Sequence, residues 1–221
     1  MIRGAACAWP RASRRRGLGR FRGRRMTRNR GRGRESDMLG PLLRATALAD
    51  LDSGRHVDRV GYYAGLTAHA LGVEDVRCGE LASSSRLHDI GKLGIPDEIL
   101  LKPAELSAGE RRLMERHTEI GFRILAGSGS HLLELAAGIA LTHHERFDGR
   151  GYPRGLACEE IPMAGRIAAV ADVFDALTTD RVYRSALEPR EAARLMRAGS
   201  GSQFDPAVLE ALLGALRLEA D

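Results

Sequence analysis

The stretch IAAVADVFDAL, residues 167–177, sets Ile167, Val170, Ala171, Phe174 and Leu177 on one face of a helix, because positions three and four apart stack on a 3.6-residue turn. The same spacing recurs outward from it. Before it, Val57, Val60, Ala64, Ala68 and Leu71 form one stripe, Leu113, Ile120 and Ile124 another, and Leu132, Leu135, Ala136 and Ile139 a third. After it, Leu209, Leu212, Leu213 and Leu216 close the series. Helix starts are also legible. Ser107-Ala108-Gly109-Glu110 has the form of a capping box, and Asp205-Pro206 puts a carboxylate at an N-cap with proline at the first helical position. No stretch alternates with period two. The pattern predicts an all-α domain, a helical bundle of about seven helices, with one irregular connection around Asp148 to Pro162.

A chain of 221 residues with 43% hydrophobic side chains is long enough to bury a real core without disulfide or metal staples. No apolar run approaches eighteen residues, which argues against a transmembrane span, and the apolar content excludes disorder throughout. Cys7, Cys78 and Cys158 are odd in number and far apart, so neither a disulfide framework nor a paired-cysteine metal knuckle is available, and a cytoplasmic location is expected. The net charge of +5 is misleading as a whole-chain figure. Residues 1–34 hold 13 of the 34 Lys and Arg and no acid, leaving 21 basic against 29 acidic residues, a net of −8, for the remainder. The remainder is therefore not expected to attract DNA or another polyanion except at a local site. Residues 1–37 read as a basic, Arg/Gly-rich disordered tail, and residues 38–221 as the folded domain. The tail is either a nucleic-acid or membrane-surface arm or an extension upstream of a later start at Met26 or Met38. Composition favours the second.

Five of the seven histidines fall on or beside the apolar stripes: His56 opens the first helix, His88 ends another that closes at Gly91, and His117, His143 and His144 lie on two more. His117 follows Leu113 by four and His143 follows Ile139 by four, which turns both rings inward. One inward histidine is more often a satisfied core residue than a ligand. Five of them, with Asp89 and Asp172 beside similar stripes, need a shared partner, because burying that many polar rings unpaired is costly. A metal centre supplies one. Imidazoles and carboxylates without thiolate suit iron, manganese, zinc or a related divalent ion. Seven ligands exceed the needs of one tetrahedral ion and point to at least two, with Asp89 as the bridging candidate.

At His88-Asp89-Ile90-Gly91-Lys92 the sequence resembles the HD phosphohydrolase superfamily, and His143-His144-Glu145-Arg146-Phe147-Asp148-Gly149-Arg150-Gly151-Tyr152-Pro153 resembles its HD-GYP branch. Gly94-Ile95-Pro96-Asp97-Glu98-Ile99-Leu100, the segment 169–178, Asp180-Arg181-Val182-Tyr183-Arg184 and Phe204-Asp205-Pro206 extend the likeness from about Leu42 to Leu213. The resemblance implies an all-helical phosphodiesterase that hydrolyses the bacterial second messenger cyclic di-GMP to pGpG and/or GMP. His56, His88, Asp89, His117, His143, His144 and Asp172 match the family's metal ligands, two or three divalent transition-metal ions of iron or manganese. Lys92 matches a lysine that approaches the scissile phosphate, Arg181 and Arg184 match phosphate-holding positions, and Gly151, Tyr152 and Pro153 match the tripeptide beside the site.

Three positions depart from that pattern. Asp52 stands where members with three metals carry glutamate, Val182 stands in place of proline, and Ser83-Ser84-Ser85 replaces apolar residues, so its hydroxyls are expected to bond back to the preceding turn. Lys92 is expected to place its ammonium on a phosphate oxygen or to protonate the leaving oxygen, with Asp89 beside it in the catalytic centre. Asp175, three residues past Asp172, either orients a ligand histidine or contacts substrate. Tyr152 either walls the guanine pocket or packs its own loop. Two other functions fit the same residues: hydrolysis of another cyclic dinucleotide or nucleotide, and a non-catalytic scaffold whose Gly-Tyr-Pro surface takes a diguanylate cyclase or other signalling protein.

Overall fold

The computed structural model describes residues 39–46, 55–180 and 185–218. The tail over residues 1–37, Asp52, Val182, Arg181 and Arg184 lie outside the described residues. Within them every regular element is helical, as expected: α1 (residues 39–46), α2 (Arg55–Ala70), α3 (Asp75–Ser85), α4 (Asp97–Leu100), α5 (Ala108–Glu115), α6 (His117–Leu125), α7 (His131–Thr142), α8 (Met163–Thr178), α9 (Pro189–Ala198) and α10 (Pro206–Ala215). Short 3₁₀ turns cover Ile90–Gly94 and Cys158–Glu160. Among the described residues the β-type pairing consists of isolated bridges, one of which, Asp148 to Ala157, closes the irregular connection before α8.

The local signals act as read. Ser107 and Glu110 form the reciprocal box at α5, and the Asp205 carboxylate accepts from the Ala207 amide at 2.8 Å, with Pro206 opening α10. One stripe, however, divides. Leu113, Ile120 and Ile124 do not lie on a single helix, because Arg116 ends α5 and starts α6, its amide bonding back to Leu113 O in a tightened turn. Leu113 and Ile124 are consequently exposed, while His117, opening α6, is buried.

Two apolar clusters hold the bundle. The larger joins α2, α3, α8, α9 and α10 through Val60, Leu81, Ile167, Phe174 and the fully buried Leu209, Leu212 and Leu213. Each such leucine contributes about 1.5–3 kcal/mol by leaving water. The smaller joins Leu87 and Ile90 to Leu125 of α6 and to Leu133, Ala136, Ala137 and Ala140 of α7, and Leu39, Leu42 and Leu43 of α1 pack on it. Helix α7 serves both, since Ile139 belongs to the first cluster while its neighbours Ala136, Ala137 and Ala140 belong to the second. That shared helix fixes where its C-terminal end falls.

Candidate metal centre

Helix ends meet where the two clusters adjoin. His56 is the second residue of α2, His117 the first of α6, and His143 caps the C-terminus of α7 with His144 following. Asp172 lies within α8. His88 and Asp89 do not end a helix, as the sequence suggested. They occupy the turn after α3, which closes at Ser85 through three-residue bonds from Leu87 to Ser84 O and from His88 to Ser85 O. The same correction applies to Gly91, which ends no helix but lies in the 3₁₀ turn. A Cβ on Gly91 would fall 1.8 Å from His117 O, so only glycine lets the turn bearing Asp89 rest against the start of α6.

All seven ligands proposed from the sequence come together. Asp89, His117, His143 and His144 form one group and His56, His88 and Asp172 a second, with the potential ligand atoms of each group within 4.8 Å of one another. The backbone sets the rings. Nδ1 of His88 is 2.8 Å from Ser85 O, Nδ1 of His117 is 2.7 Å from Met114 O, and Nδ1 of His143 is 3.0 Å from Ala140 O. A carbonyl only accepts, so each Nδ1 carries the proton and each Nε2 turns a lone pair inward.

Those lone pairs face other acceptors. His117 Nε2 and His143 Nε2 are 3.3 and 3.7 Å from Asp89 Oδ1 and 3.4 Å from each other, while His56 Nε2 is 3.4 Å from Asp172 Oδ1. His88 Nε2 and Asp89 Oδ1 are buried without a hydrogen bond. Orphaned acceptors in a packed interior need a cation between them, and nitrogen and carboxylate donors without thiolate fit a first-row divalent ion. Asp89 stands between the two groups, with Oδ1 toward His117 and His143 and Oδ2 3.3 Å from His88 Nε2.

The charge balance agrees. Burial opposes a charged His88, but the Asp89 and Asp172 carboxylates outweigh it and raise its pKa to about 9, so a proton is held where a metal cation would also be favoured. Burial dominates at His117, lowered to about 4, and at His144, held well below its ordinary value, which keeps both rings in the neutral form that ligates metal. Burial would raise Asp89, yet the Lys92 ammonium at 2.6 Å and the neighbouring histidines hold it well below the usual carboxylate range. The Lys92 side chain is partly exposed beside Asp89.

The surrounding residues sort differently from expectation. Asp175 does not face a ligand space. It is 1% exposed, accepts from His56 Nδ1 at 2.7 Å and takes Arg59 Nε and Nη2 at 2.5 and 3.0 Å, the arrangement expected of the first of its two readings, a carboxylate behind a candidate ligand ring. Of the three serines, Ser83 bonds back to Gly79 O as expected, Ser84 instead reaches Leu132 O on α7, and Ser85 Oγ is buried without a partner among the described residues. Tyr152 stacks on His144 with ring centroids 4.8 Å apart, and the Tyr152–Pro153 bond is cis. Gly151 lies so close to the chain that a Cβ would be 2.3 Å from the Arg146 amide.

Spacing alone missed two residues. Glu145, 3% exposed, accepts from the Arg154 and Leu156 amides and ties down the loop carrying Tyr152. Arg59 clamps Asp175 from one turn beyond His56. The i+3 offset of Arg59 from His56 was a usable signal, whereas the bonds of Glu145 run nine and eleven residues ahead to backbone groups and leave none. A cleft of about 420 Å³ opens over His143, His144 and Asp172, walled by Arg146, Arg150, Gly151, Tyr152, Ala169, Val173 and Gln203.

The HD domain family matches residues 43–208, and the chain belongs to that family. It is 50% identical over 177 residues to a cyclic di-GMP phosphodiesterase of Thermotoga maritima, covering 80% of this chain and 48% of that protein. A cyclic di-GMP phosphodiesterase response regulator of Xanthomonas campestris is 45% identical over 189 residues, 84% of this chain and 50% of its own. A 3′3′-cGAMP-specific phosphodiesterase of Vibrio cholerae is 40% identical over 177 residues, 80% and 34% of the two chains. The chain thus spans half or less of the length of these relatives. Among solved structures, a cyclic GMP-AMP specific phosphodiesterase of V. cholerae shares the fold with a TM-score of 0.60 at 21% identity over 84% of this chain and 51% of that one. A Bdellovibrio bacteriovorus HDG"Y"P protein does so with 0.57 at 20% identity, over 73% and 51%.

Proposed function

We propose that this domain is a metal-dependent phosphodiesterase hydrolysing cyclic di-GMP to pGpG and/or GMP. The observation that carries the reading is the pair of ligand groups meeting at His88-Asp89, with His88 Nε2 and Asp89 Oδ1 buried and unbonded between them. The seven candidate ligands would hold two divalent ions, iron or manganese, and Asp52 is the candidate ligand for a third. Bound cations supply neutralisation of the phosphodiester anion and an attacking water acidic enough to ionise at neutral pH.

The chain's own residues do the rest. Asp175 and Arg59 hold His56 in register, and Tyr152 braces His144. Lys92, partly exposed beside Asp89, places an ammonium where negative charge develops on the leaving oxygen, and Arg181 and Arg184 hold substrate phosphate through their planar forks. Gly151 and Tyr152 wall the substrate cleft, and Pro153 follows them in the same loop.

The naming of relatives as 3′3′-cGAMP-specific phosphodiesterases favours a second reading in which another cyclic dinucleotide is the substrate. A non-catalytic scaffold is disfavoured by the complete ligand set. A diguanylate cyclase or other signalling protein remains the proposed partner for the Gly-Tyr-Pro surface. No helix among the described residues is long and apolar enough to cross a membrane, and Cys78 and Cys158 are free thiols, which supports a cytoplasmic setting. Chromatography of products formed from cyclic di-GMP by anaerobically purified, metal-loaded protein tests the reading. Linear pGpG or GMP is expected, and intact substrate would contradict it.

A further inference from the structure

The cleft wall carries polar groups that the chemistry above does not use. Glu145 is committed to the Arg154 and Leu156 amides. Arg146 is bound in two places by Asp148, at 3.1 and 2.9 Å, and Asp148, pulled down to about 2 chiefly by that guanidinium, also accepts from the Arg150 amide at 3.0 Å. Arg150, exposed, and Gln203 both line the cleft and make no side-chain hydrogen bond among the described residues, the Arg150 charge acting on Asp148 only through space. Their backbones are nonetheless fixed. Phe147 and Asp148 bond to Gln203 O and Ser202 O at 3.3 and 2.8 Å, so the two segments form one rigid lip.

Beside that lip stand the flat Tyr152 ring and the apolar Ala169 and Val173 of α8, with His143, His144 and Asp172 also on the cleft lining. A cleft with cation ligands on its lining, a flat ring and aliphatic groups along its wall, and an unspent guanidinium beside an unspent amide suits a phosphate carrying a heterocycle. A phosphate alone would need no such wall. An arginine fork donates two parallel N–H groups, which match the O6 and N7 acceptors of guanine; adenine offers N7 but turns an amino donor toward the second N–H.

We propose that Arg150 reads the O6/N7 edge of a guanine base, with Gln203 beside it, and so sets the preference of this site for guanine over adenine. The inference rests on the cyclic dinucleotide reading and deepens it. Arg150→Ala and Arg150→Gln are compared with the wild-type chain for KM on cyclic di-GMP and cyclic di-AMP, and for equilibrium binding of both by calorimetry, at equal metal content. Arg123→Ala, on an exposed part of α6, controls for lost charge. The expected result is that Arg150→Ala weakens cyclic di-GMP by about tenfold or more while cyclic di-AMP changes little, and that Arg150→Gln narrows the preference further because its amide can pair with adenine. Arg123→Ala moves neither. Equal weakening of both dinucleotides would make Arg150 a phosphate contact and overturn base reading, as would an unchanged ratio. Discrimination in binding without turnover would sustain the role of Arg150 while rejecting hydrolysis. Turnover with an unchanged ratio would do the reverse.

Discussion

At the scale of single residues, four of the five candidate ligand rings are directed by a hydrogen bond behind them, and the fifth, His144, by the ring of Tyr152. His88, His117 and His143 lean on backbone carbonyls, which substitution cannot remove, but His56 leans on the Asp175 side chain. Asp175→Asn keeps the volume and replaces a charged acceptor by a neutral one, and it strips Arg59 of its counter-ion. Metal affinity of the His56, His88 and Asp172 group is expected to fall by about 10–100-fold, read by competition with a chelator. Unchanged affinity would mean that packing alone orients the ring. Lys92 and the arginines should separate kinetically. Lys92→Ala lowers kcat by about 100-fold with metal retained, because the ammonium meets charge that develops during cleavage, whereas Arg181→Ala or Arg184→Ala mainly raises KM. A normal kcat in Lys92→Ala would return that lysine to a pairing role with Asp89. The convergence of the candidate ligands is legible in the sequence because five rings beside apolar stripes are a costly coincidence. The role of Asp175 is not, since an i+3 neighbour of Asp172 points either toward the ions or behind a ligand, and only the fold decides which.

At the scale of elements, the site depends on turns more than on helices. Gly91→Ala would drive a methyl into His117 O, forcing the Asp89 turn away from α6 at a cost of about 3 kcal/mol or more. Thermal unfolding should drop by several degrees and metal content should fall with it; a wild-type melting point would show that the turn yields freely. Ser85→Ala runs the other way. Its hydroxyl is buried and unbonded, so removing it should leave stability unchanged or slightly raised, and a loss above about 1 kcal/mol in denaturant titration would reveal a partner for that oxygen. These contrasts explain what periodicity could and could not show. The stripe in α8 reads correctly because one helix carries it unbroken. Leu113, Ile120 and Ile124 share a helical spacing, yet a single tightened turn at Arg116 rotates one half away from the other, and no spacing rule registers such a turn. His88 departs from its expected place at a helix end in the same way, because the three-residue bonds that follow Ser85 carry no signal in the apolar spacing.

At the scale of the whole molecule, two apolar clusters meet along α7 and leave helix ends, with their turns, facing one another across a polar seam. The seam holds the seven ligands, and the flanking clusters exclude water from most of them. Charge is divided just as sharply, with 13 arginines and no acid in residues 1–34 against a net of −8 beyond. Removing residues 1–37 is therefore expected to leave helicity and turnover unchanged, measured by circular dichroism and product formation, whereas a cut past Leu43 would strip α1 from the smaller cluster and lower stability. Loss of activity in the shorter deletion would make the basic segment part of the working unit. The central claim is that Asp89 serves both groups of ligands at once. Elemental analysis paired with cyclic di-GMP turnover, on wild type and Asp89→Ala, tests it most directly. At least two transition-metal ions per chain are expected in active wild type, with metal content and activity lost together in the variant. Fewer than one ion in fully active protein, or an Asp89→Ala variant that keeps its metal and its turnover, would contradict it.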